Sequence, residues 1–201
     1  MTGDRGQMRV SAIVLAAGAA TRMGRLKQLL PYRGRTLVEH SIRQAMDAGF
    51  ESVIVVVGAE AQSVMAAIAA EPVEVAHNDA WESGMGSSIA AGMRRVAAGD
   101  PDVVAILLAD QPLVTSAHLI AMAKLLEPTH IHIVAAEYSG TLGVPALFKR
   151  EMFPLLAALP PGAGARHLLR GARSHIDVYP LPEAAMDVDT PEDFEALNTL
   201  S

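Results

Sequence analysis

Runs of apolar, mostly β-branched residues recur along the chain and alternate with stretches in which apolar residues return every three or four positions. The runs IVL, VIVVV and VVAILLA contain no polar alternation, which is typical of parallel strands that are buried on both faces of a sheet. The pattern predicts strands at Val10–Leu15, Ser52–Val57, Val73–His77, Val103–Ala109, Ile131–Glu137 and Ile176–Tyr179.

Helical periodicity fills the intervals between these strands. It predicts helices at Thr36–Ala48, Ala61–Ala70, Ser87–Ala98, Ser116–Leu126, Lys149–Leu159, Arg166–Gly171 and Pro191–Leu200. The alternation of strands and helices indicates an α/β fold with a single-domain, doubly wound and mostly parallel sheet. We expect a flexible N-terminal arm over residues 1–9 and one domain over residues 10–200.

One segment, Tyr138–Arg170, interrupts the alternation. It contains GTLGVPALF and PPGAGAR and is rich in glycine and proline, residues that punctuate regular structure. We interpret it as a small antiparallel excursion over the edge of the sheet, with a strand at Val144–Phe148.

The composition narrows the range of partners. The 201 residues carry a formal net charge of -6, whereas proteins that bind nucleic acid or acidic membranes usually present a basic surface. No apolar stretch reaches the ~18 residues that a membrane span needs. The chain has no cysteine, which excludes disulfides and thiolate chemistry. We therefore expect a cytoplasmic protein that binds neither nucleic acid nor membrane.

The loop after the first strand reads LAAGAATRMGRLK over Leu15–Lys27. Ligands of doubly wound sheets bind at the carboxyl ends of the strands, and glycines there let backbone N–H groups approach anionic oxygen. Arg22, Arg25 and Lys27 add positive charge. The loop is neither a GxxxxGK[ST] nor a GxGxxG motif. These features alone leave a phosphate cradle and a solvated surface loop equally open.

Carboxylates follow two later apolar segments. Asp110 ends the most apolar strand, where it is either a turn residue before Pro112 or a ligand of a hard cation such as Mg²⁺. Asp187 and Asp189 precede the last helix, and in an extended segment they point to the same side. Asp189 is alternatively only a helix cap. In HNDAWESGMGSSIAAG, glycines and serines at a helix start offer free N–H groups and hydroxyls that point one way. Alternatively, Ser87 or Ser88 is only the N-cap of the helix.

These motifs together resemble those of the MobA-like nucleotidyltransferase family, which includes the molybdenum cofactor cytidylyl- and guanylyltransferases. The similar stretches are LAAGxxTRMGxxKQLLP, W-x-x-G-x-x-x-S, D-x-P and D-[IV]-D-T-P-E-D, and the resemblance covers nearly all of residues 10–200. It implies a Rossmann-like nucleotidyltransferase fold. It also implies transfer of a nucleoside monophosphate from a nucleoside triphosphate to a phosphate-bearing acceptor, with release of pyrophosphate.

The resemblance further implies roles for individual residues. The catalytic residues would be Arg22, Lys27 and Asp110. The nucleotide would be bound by Leu15, Ala16, Ala17, Gly18, Arg22, Lys27, Asn78, Asp79, Gly86 and Ser87. A Mg²⁺ cofactor would be held by Asp110 with Asp187 or Asp189, and the acceptor by Gly143, Pro145 and Arg166.

Two positions bear on the substrates. The guanylyltransferases of the family usually read L-A-G-G, whereas Ala17 stands at the third position here, as in the cytidylyltransferases. The resemblance therefore favours CTP over GTP, with molybdopterin as the acceptor and a molybdoenzyme or its maturation chaperone as a partner. Pro161-Gly162 stands where the family usually has Gly-Asp, which bears on the acceptor rather than on the nucleotide. We expect a monomer.

Alternative functions remain open at this point. One is a cytidylyl- or guanylyltransferase that acts on another small phosphate, such as a methylerythritol or sugar phosphate. Another is an NAD(P)-dependent oxidoreductase on the same fold, with Glu60 as a ribose-binding acid, although GxGxxG is absent. His130 and His132 share one side of a strand and form a weak candidate metal site.

Overall fold

A seven-stranded sheet forms the centre of the computed structural model, which describes residues 8–19, 26–171 and 175–200. The strand order is β5-β4-β1-β6-β8-β7-β9. Neighbouring strands are parallel except β8, which is antiparallel to both β6 and β7. The strands are β1 Val10–Leu15, β4 Ser52–Val57, β5 Glu74–His77, β6 Val103–Leu108, β7 Ile133–Tyr138, β8 Thr141–Lys149 and β9 Ile176–Pro180, with β2 Pro31–Tyr32 and β3 Arg35–Thr36 in a separate hairpin. The predicted doubly wound, mostly parallel sheet is confirmed.

Seven helices, counted over the described residues, flank the sheet. They are α1 Leu37–Asp47, α2 Ala61–Ala67, α3 Met85–Val96, α4 Ser116–Lys124, α5 Phe153–Ala157, α6 Arg166–Gly171 and α7 Pro191–Thr199. The sequence explains two of their N-termini, because Thr36 with Glu39 and Thr190 with Asp193 form capping boxes. No helix in the described part of the chain is long and apolar enough to cross a membrane.

The central strand β1 shows why the apolar runs form the core. Ile13 aligns with Ile54 of β4 and Ile106 of β6, and all three are buried. Side chains of alternating residues pack on opposite faces, so Ile13 and Val14 belong to different apolar clusters. On the Ile13 face α3 lies so close that a Cβ at Gly92 would come within 2.7 Å of the Ile13 side chain.

The segment predicted as an edge excursion is placed differently. Its strand runs over Thr141–Lys149 and lies between β6 and β7, inside the sheet. The prediction of an edge position is wrong, because a tight turn at Ser139 and Gly140, both with positive φ, folds β8 back onto β7. The helix predicted from Lys149 begins later: Arg150–Met152 is a 3-10 turn, and α5 starts at Phe153.

A satellite apolar cluster lies beside the main core and was not predicted. It consists of Leu30, Tyr32, Leu37, Val188 and Leu197. These residues come from the β2–β3 hairpin region, from the start of α1, from the segment before α7 and from α7 itself. The cluster therefore joins two stretches of chain that are far apart in sequence, one of which follows the predicted site residue Lys27 and the other of which contains Asp189.

The N-terminal boundary lies close to the sheet. Met8 packs against the core, and the backbone N–H of Arg9 donates to the Asp102 carboxylate at 3.0 Å. The Arg9 guanidinium also pairs with Asp100. Of the predicted arm, residues 1–7 lie outside the described residues, whereas residues 8 and 9 contact the domain.

Candidate active site

The candidate site lies where the order of the strands reverses. β1 has β4 on one side and β6 on the other, and such a switch point leaves a crevice at the carboxyl ends of the two diverging strands. A cleft of about 220 Å³ opens there. Among its lining residues are Leu15, Ala17, Gly18, Lys27, Trp81, Ser88 and Asp110.

Lys27, which lines the cleft, forms an ion triad with two aspartates. Its Nζ donates to Asp189 Oδ1 at 2.5 Å and pairs with Asp110 Oδ2. The side chains of Lys27 and Asp110 are only 19% and 12% exposed. Burial lowers the pKa of Lys27, but the charges and hydrogen bonds of Asp110 and Asp189 outweigh it, so the pKa lies above its ordinary value. The ammonium is therefore charged at neutral pH.

Asp187 lies beside this triad with a different environment. The backbone N–H of Val188 donates to the Asp110 carbonyl at 3.0 Å, which holds the segment against the end of β6. Burial, reinforced by the charge of Asp110, raises the pKa of Asp187 to about 6. Within the described part of the chain, Oδ1 of Asp187 and Oδ1 of Asp110 are buried without a hydrogen-bond partner.

Asp193 and Thr190, rather than Asp189, cap the last helix. Asp193 accepts hydrogen bonds from the backbone of Asp189 and from Thr190, and Thr190 is the N-cap. The interpretation of Asp189 as merely a helix cap is wrong, because its carboxylate turns to Lys27 instead.

Gln28 supports the loop after β1 and was missed by sequence reasoning. It is 2% exposed, and its Nε2 donates to the carbonyls of Ala16 and Gly18 at 3.2 and 2.7 Å. A polar residue inside the apolar stretch LKQLLP was the available indication. Arg22, together with the rest of residues 20–25, lies outside the described residues.

Trp81, the only tryptophan of the chain, also lines the cleft. Gly58 allows the close packing there, because a Cβ at this position would lie 2.6 Å from Trp81 Cβ and 2.9 Å from Ala17 Cβ. Ala17 and Trp81 thus form one wall of the cleft. Sequence reasoning singled out Ala17 but neither Gly58 nor Trp81 by role.

Residues 78–88 take positions that the motif alone did not show. Buried Asn78 donates to Ser87 Oγ and Ser88 Oγ at 2.8 and 2.9 Å, so it braces the start of α3. That helix begins at Met85 with Gly84 as its N-cap, and the prediction of a serine N-cap is wrong. Asp79 is exposed and lies outside the cleft lining.

Gly86 faces the PPGAG segment. Its N–H donates to the Pro161 carbonyl at 2.9 Å, and a Cβ at Gly86 would lie 2.1 Å from the Pro160 carbonyl oxygen. The first turn of α3 is therefore covered by residues 160–164, and Ser88 rather than Gly86 or Ser87 reaches the cleft.

Two of the three predicted acceptor residues, Gly143 and Arg166, lie close to Tyr138. Its hydroxyl donates to the Val144 carbonyl at 3.0 Å, and it leaves no room for a Cβ at Gly143. The exposed Arg166 guanidinium lies 6.0 Å from the centre of the Tyr138 ring. Pro145 is buried beside Gln111. Of the three, only Arg166 presents an exposed polar side chain.

The histidines predicted as a weak metal site lie near another histidine but do not form a group of metal ligands within the described part of the chain. The rings of His132 and His175 stack at 4.9 Å, but no three His, Cys, Asp or Glu side chains of the described residues are grouped to hold a metal ion by themselves. A cation at Asp110 would therefore need oxygen ligands from a substrate as well, as Mg²⁺ at phosphate-transfer sites does.

Comparison with known proteins identifies the family. The model of the MobA-like NTP transferase domain matches residues 12–178. The chain belongs to the MobA-like NTP transferase family. The motifs at Leu15–Lys27 and at Asp110 lie inside the matched region, as the sequence resemblance predicted.

Relatives within and around the MobA-like family carry different names. The chain is 36% identical to the nicotine blue oxidoreductase of Paenarthrobacter nicotinovorans, over 94% of this chain and 97% of that protein. It is 31% identical to the purine catabolism protein PucB of Bacillus subtilis, over 91% and 93%. The structure is similar to Rv0371c of Mycobacterium tuberculosis, with a TM-score of 0.79 and 29% identity over 95% and 98% of the two chains. A complex of Rv0371c with manganese gives a TM-score of 0.75 with 28% identity, over 94% and 97%.

Proposed function

We propose that the protein transfers CMP from CTP to the phosphate of a molybdopterin-type acceptor and releases pyrophosphate. The observation that carries this proposal is the Lys27–Asp110–Asp189 triad, with Lys27 and Asp110 largely shielded from solvent, at the switch point of a MobA-like NTP transferase. It combines a charged ammonium for phosphate oxygens with carboxylates for a metal ion. The product would pass to a molybdoenzyme or its maturation chaperone.

The chemistry requires alignment and neutralisation of charge. An oxygen of the acceptor phosphate attacks the α-phosphorus of CTP, a new P–O bond forms, and the bond to the pyrophosphate oxygen breaks. The attacking phosphate is already anionic, so no strong general base is needed. Lys27 would hold the leaving pyrophosphate, and charge stabilisation of this kind is typically the largest contribution to catalysis. The family resemblance implies that Arg22 also binds the triphosphate.

The aspartates fit a Mg²⁺ ion. Buried carboxylate oxygens without a partner are costly, and Oδ1 of both Asp110 and Asp187 is in that state. A hard divalent cation prefers such oxygens together with phosphate oxygens. When bound, Mg²⁺ would neutralise charge on the triphosphate. The manganese complex of Rv0371c supports a divalent cation in this branch of the family.

The wall at Ala17 supports the choice of CTP. Ala17 and Trp81 both line the cleft and both lie close to Gly58, and the Ala17 methyl group would narrow the part of the cleft that receives the base. A narrower cleft favours the smaller pyrimidine base. Asn78, Ser87 and Gly86 would act indirectly, by fixing the loop that carries Trp81.

The name of one relative favours a second candidate, an NAD(P)-dependent oxidoreductase. The 36% identical protein is named nicotine blue oxidoreductase. The proposed ribose-binding Glu60, however, is exposed at the start of α2 and lies outside the cleft lining. A transferase acting on a methylerythritol or sugar phosphate would use the same triad and differ on the acceptor side.

Ligand-dependent melting separates these candidates. With Mg²⁺ present, we expect CTP to raise the melting temperature more than GTP, because a ligand of the folded state stabilises it by about 2.7 kcal/mol at a hundredfold excess over Kd. Pyrophosphate release from CTP should then require molybdopterin. A larger shift with GTP would contradict the base assignment, and a shift with NADH alone would favour the oxidoreductase. Release with methylerythritol phosphate but not with molybdopterin would contradict the acceptor.

A further inference from the structure

A short segment between α5 and α6 rests on the first turn of α3. It comprises residues 160–164, and we call it the strap. Within the strap the Ala163 N–H donates to the Pro160 carbonyl at 2.8 Å, which closes a tight turn. The residues on either side of it, Leu159 and Ala165, are buried in the same apolar cluster. The strap therefore spans two anchor points in the core.

Two glycines of α3 and its N-cap form the seat of the strap. The N–H of Gly86, which is buried, donates to the Pro161 carbonyl at 2.9 Å. A Cβ at Gly86 would overlap the carbonyl oxygens of Pro160 and Ala163. A Cβ at Gly84 would lie 2.7 Å from the Pro161 carbonyl oxygen. Because glycine alone lets two backbones approach so closely, any side chain at residue 86 would lift the strap.

The same turn of α3 faces the cleft on its other side. Gly84, Met85 and Ser88 line the cleft, whereas Gly86 lies outside the lining. A substitution at Gly86 therefore alters the seat of the strap without altering a residue that lines the cleft. The strap can thus be perturbed separately from the part of the cleft that would receive the nucleotide.

The strap leads directly into the turn of α6 that carries Arg166. The His167 N–H donates to the carbonyl of Gly164, the last residue of the strap, at 2.9 Å. The exposed Arg166 guanidinium lies 6.0 Å from the centre of the Tyr138 ring. A planar guanidinium recognises phosphate through directed hydrogen bonds, so a displaced strap would misalign Arg166 with an anionic ligand.

Building on the proposed function, we propose that Gly86 is a positioning residue for the acceptor. It seats the strap on α3, and the seated strap fixes Arg166 where the phosphate of the acceptor is bound. This role differs from the nucleotide-binding role that the sequence resemblance implied for Gly86. It does not depend on which base the nucleotide carries.

Hydrogen exchange measured by mass spectrometry tests the seat without any substrate. Gly86→Ala should accelerate exchange in the peptide spanning residues 159–168 by roughly tenfold or more, because the added Cβ lifts the strap and breaks its hydrogen bonds. Gly162→Ala is the matched control within the strap, because its Cβ would lie 3.9 Å from the Ser83 carbonyl oxygen, at an ordinary contact distance. Its exchange should match that of wild type. Unchanged exchange in Gly86→Ala would overturn the inference.

Steady-state kinetics separates the acceptor side from the nucleotide side. Gly86→Ala should lower kcat/KM for molybdopterin by roughly 10- to 100-fold, as for a binding group misplaced by about 1 Å, with the KM for CTP within about threefold of wild type. Gly92→Ala is the control for stability, because its Cβ would lie 2.7 Å from the Ile13 side chain of β1. It should lower the melting temperature and leave kcat/KM for molybdopterin unchanged. An equal loss in Gly92→Ala, or an equal effect on CTP in Gly86→Ala, would contradict the positioning role.

Pro161→Gly perturbs the strap without adding an atom and decides the question if Gly86→Ala does not fold. The greater backbone freedom of glycine should speed exchange in the strap and lower kcat/KM for the acceptor by about two- to fivefold. Wild-type values of both in Pro161→Gly would overturn the inference. If the wild-type chain releases no pyrophosphate with molybdopterin, the proposed function fails; the kinetic comparison is then made with methylerythritol phosphate, and the exchange result stands in either case.

Discussion

The two ends of β6 carry the same kinds of side chain in opposite settings. Before the strand, Asp100 and Asp102 pair with Arg9 and Arg150, and all four side chains are 44–67% exposed. After the strand, Asp110 pairs with Lys27, and both side chains are less than 20% exposed. Water screens the attraction between the exposed charges at the first end, whereas the attraction between Lys27 and Asp110 at the second end is screened much less.

The two ends of β6 also differ in whether their carboxylate oxygens all have partners. At the exposed end, the four charged side chains pair with one another, because Arg150 and Arg9 each form ion pairs with both Asp100 and Asp102. At the buried end, oxygens of Asp110 and Asp187 remain without a partner within the described residues. Ion pairs alone therefore do not indicate a ligand-binding site. Buried carboxylates with oxygens that lack a hydrogen-bond partner do indicate one when they lie at the carboxyl ends of parallel strands.

The largest effect is expected for Asp110→Asn. Loss of its charge removes a metal ligand and a partner of Lys27, and we expect turnover to fall on the order of 10³-fold while the fold is retained. Pyrophosphate release with CTP and Mg²⁺ measures it. Asp102→Asn, at the other end of β6, is the control and should turn over normally. Wild-type turnover in Asp110→Asn would show that the aspartate at the carboxyl end of β6 matters no more to turnover than the exposed aspartates at the other end.

A smaller loss is expected for Lys27→Ala. An ammonium that meets developing phosphate charge in a sheltered site contributes about 2–3 kcal/mol, or roughly 30- to 200-fold in kcat/KM. The inhibition constant of pyrophosphate should rise in parallel. Arg150→Ala removes an exposed cation and should stay within about threefold of wild type. If both variants behave alike, Lys27 is only a surface cation.

The smallest effect is a difference in pH dependence. The pKa of Asp187 is raised to about 6, above the unfolded value of about 3.9. The folded state therefore binds this proton more tightly, and the cost of the buried charge is fully present above pH 6 and is relieved as the pH falls from 6 towards 4. The full shift corresponds to about 3 kcal/mol, which partial exposure reduces to about 1–2 kcal/mol.

Urea unfolding in metal-free buffer measures this effect. Asp187→Asn should be more stable than wild type at pH 7.5, and the advantage should shrink by about 1 kcal/mol at pH 5. Asp100 provides the opposite sign, because hydrogen bonds from Arg150 and Arg9 lower its pKa. Stability that it contributes is lost only as the pH falls below the ordinary range of an aspartate. A pH-independent difference for Asp187→Asn would contradict its raised pKa.

Several elements could be read directly from the sequence. β1 and β4 were predicted residue for residue, because short, largely apolar runs rich in β-branched residues are typical of parallel strands buried on both faces of a sheet. The start of α7 followed from Thr190, Pro191 and the acidic first turn. Lys27 and Asp110 were singled out from their places after apolar strands. The contact of Gln28 with the loop after β1 was missed, because its partners are backbone carbonyls, and every residue has one whatever its side chain.

What the sequence determined by itself, then, is local: which runs form buried strands, where helices begin, and which loops carry charge at the ends of strands. The tertiary structure alone decided that β8 lies between β6 and β7, because strand neighbours depend on pairing between distant segments. It also decided that Lys27 and Asp189, 162 residues apart, share a hydrogen bond. The satellite cluster of Leu30, Tyr32, Leu37, Val188 and Leu197 brings them together. Burial of apolar side chains acts without regard to sequence separation. In the folded chain it is Asp189, and not Asp187 two residues earlier, that accepts the hydrogen bond of Lys27.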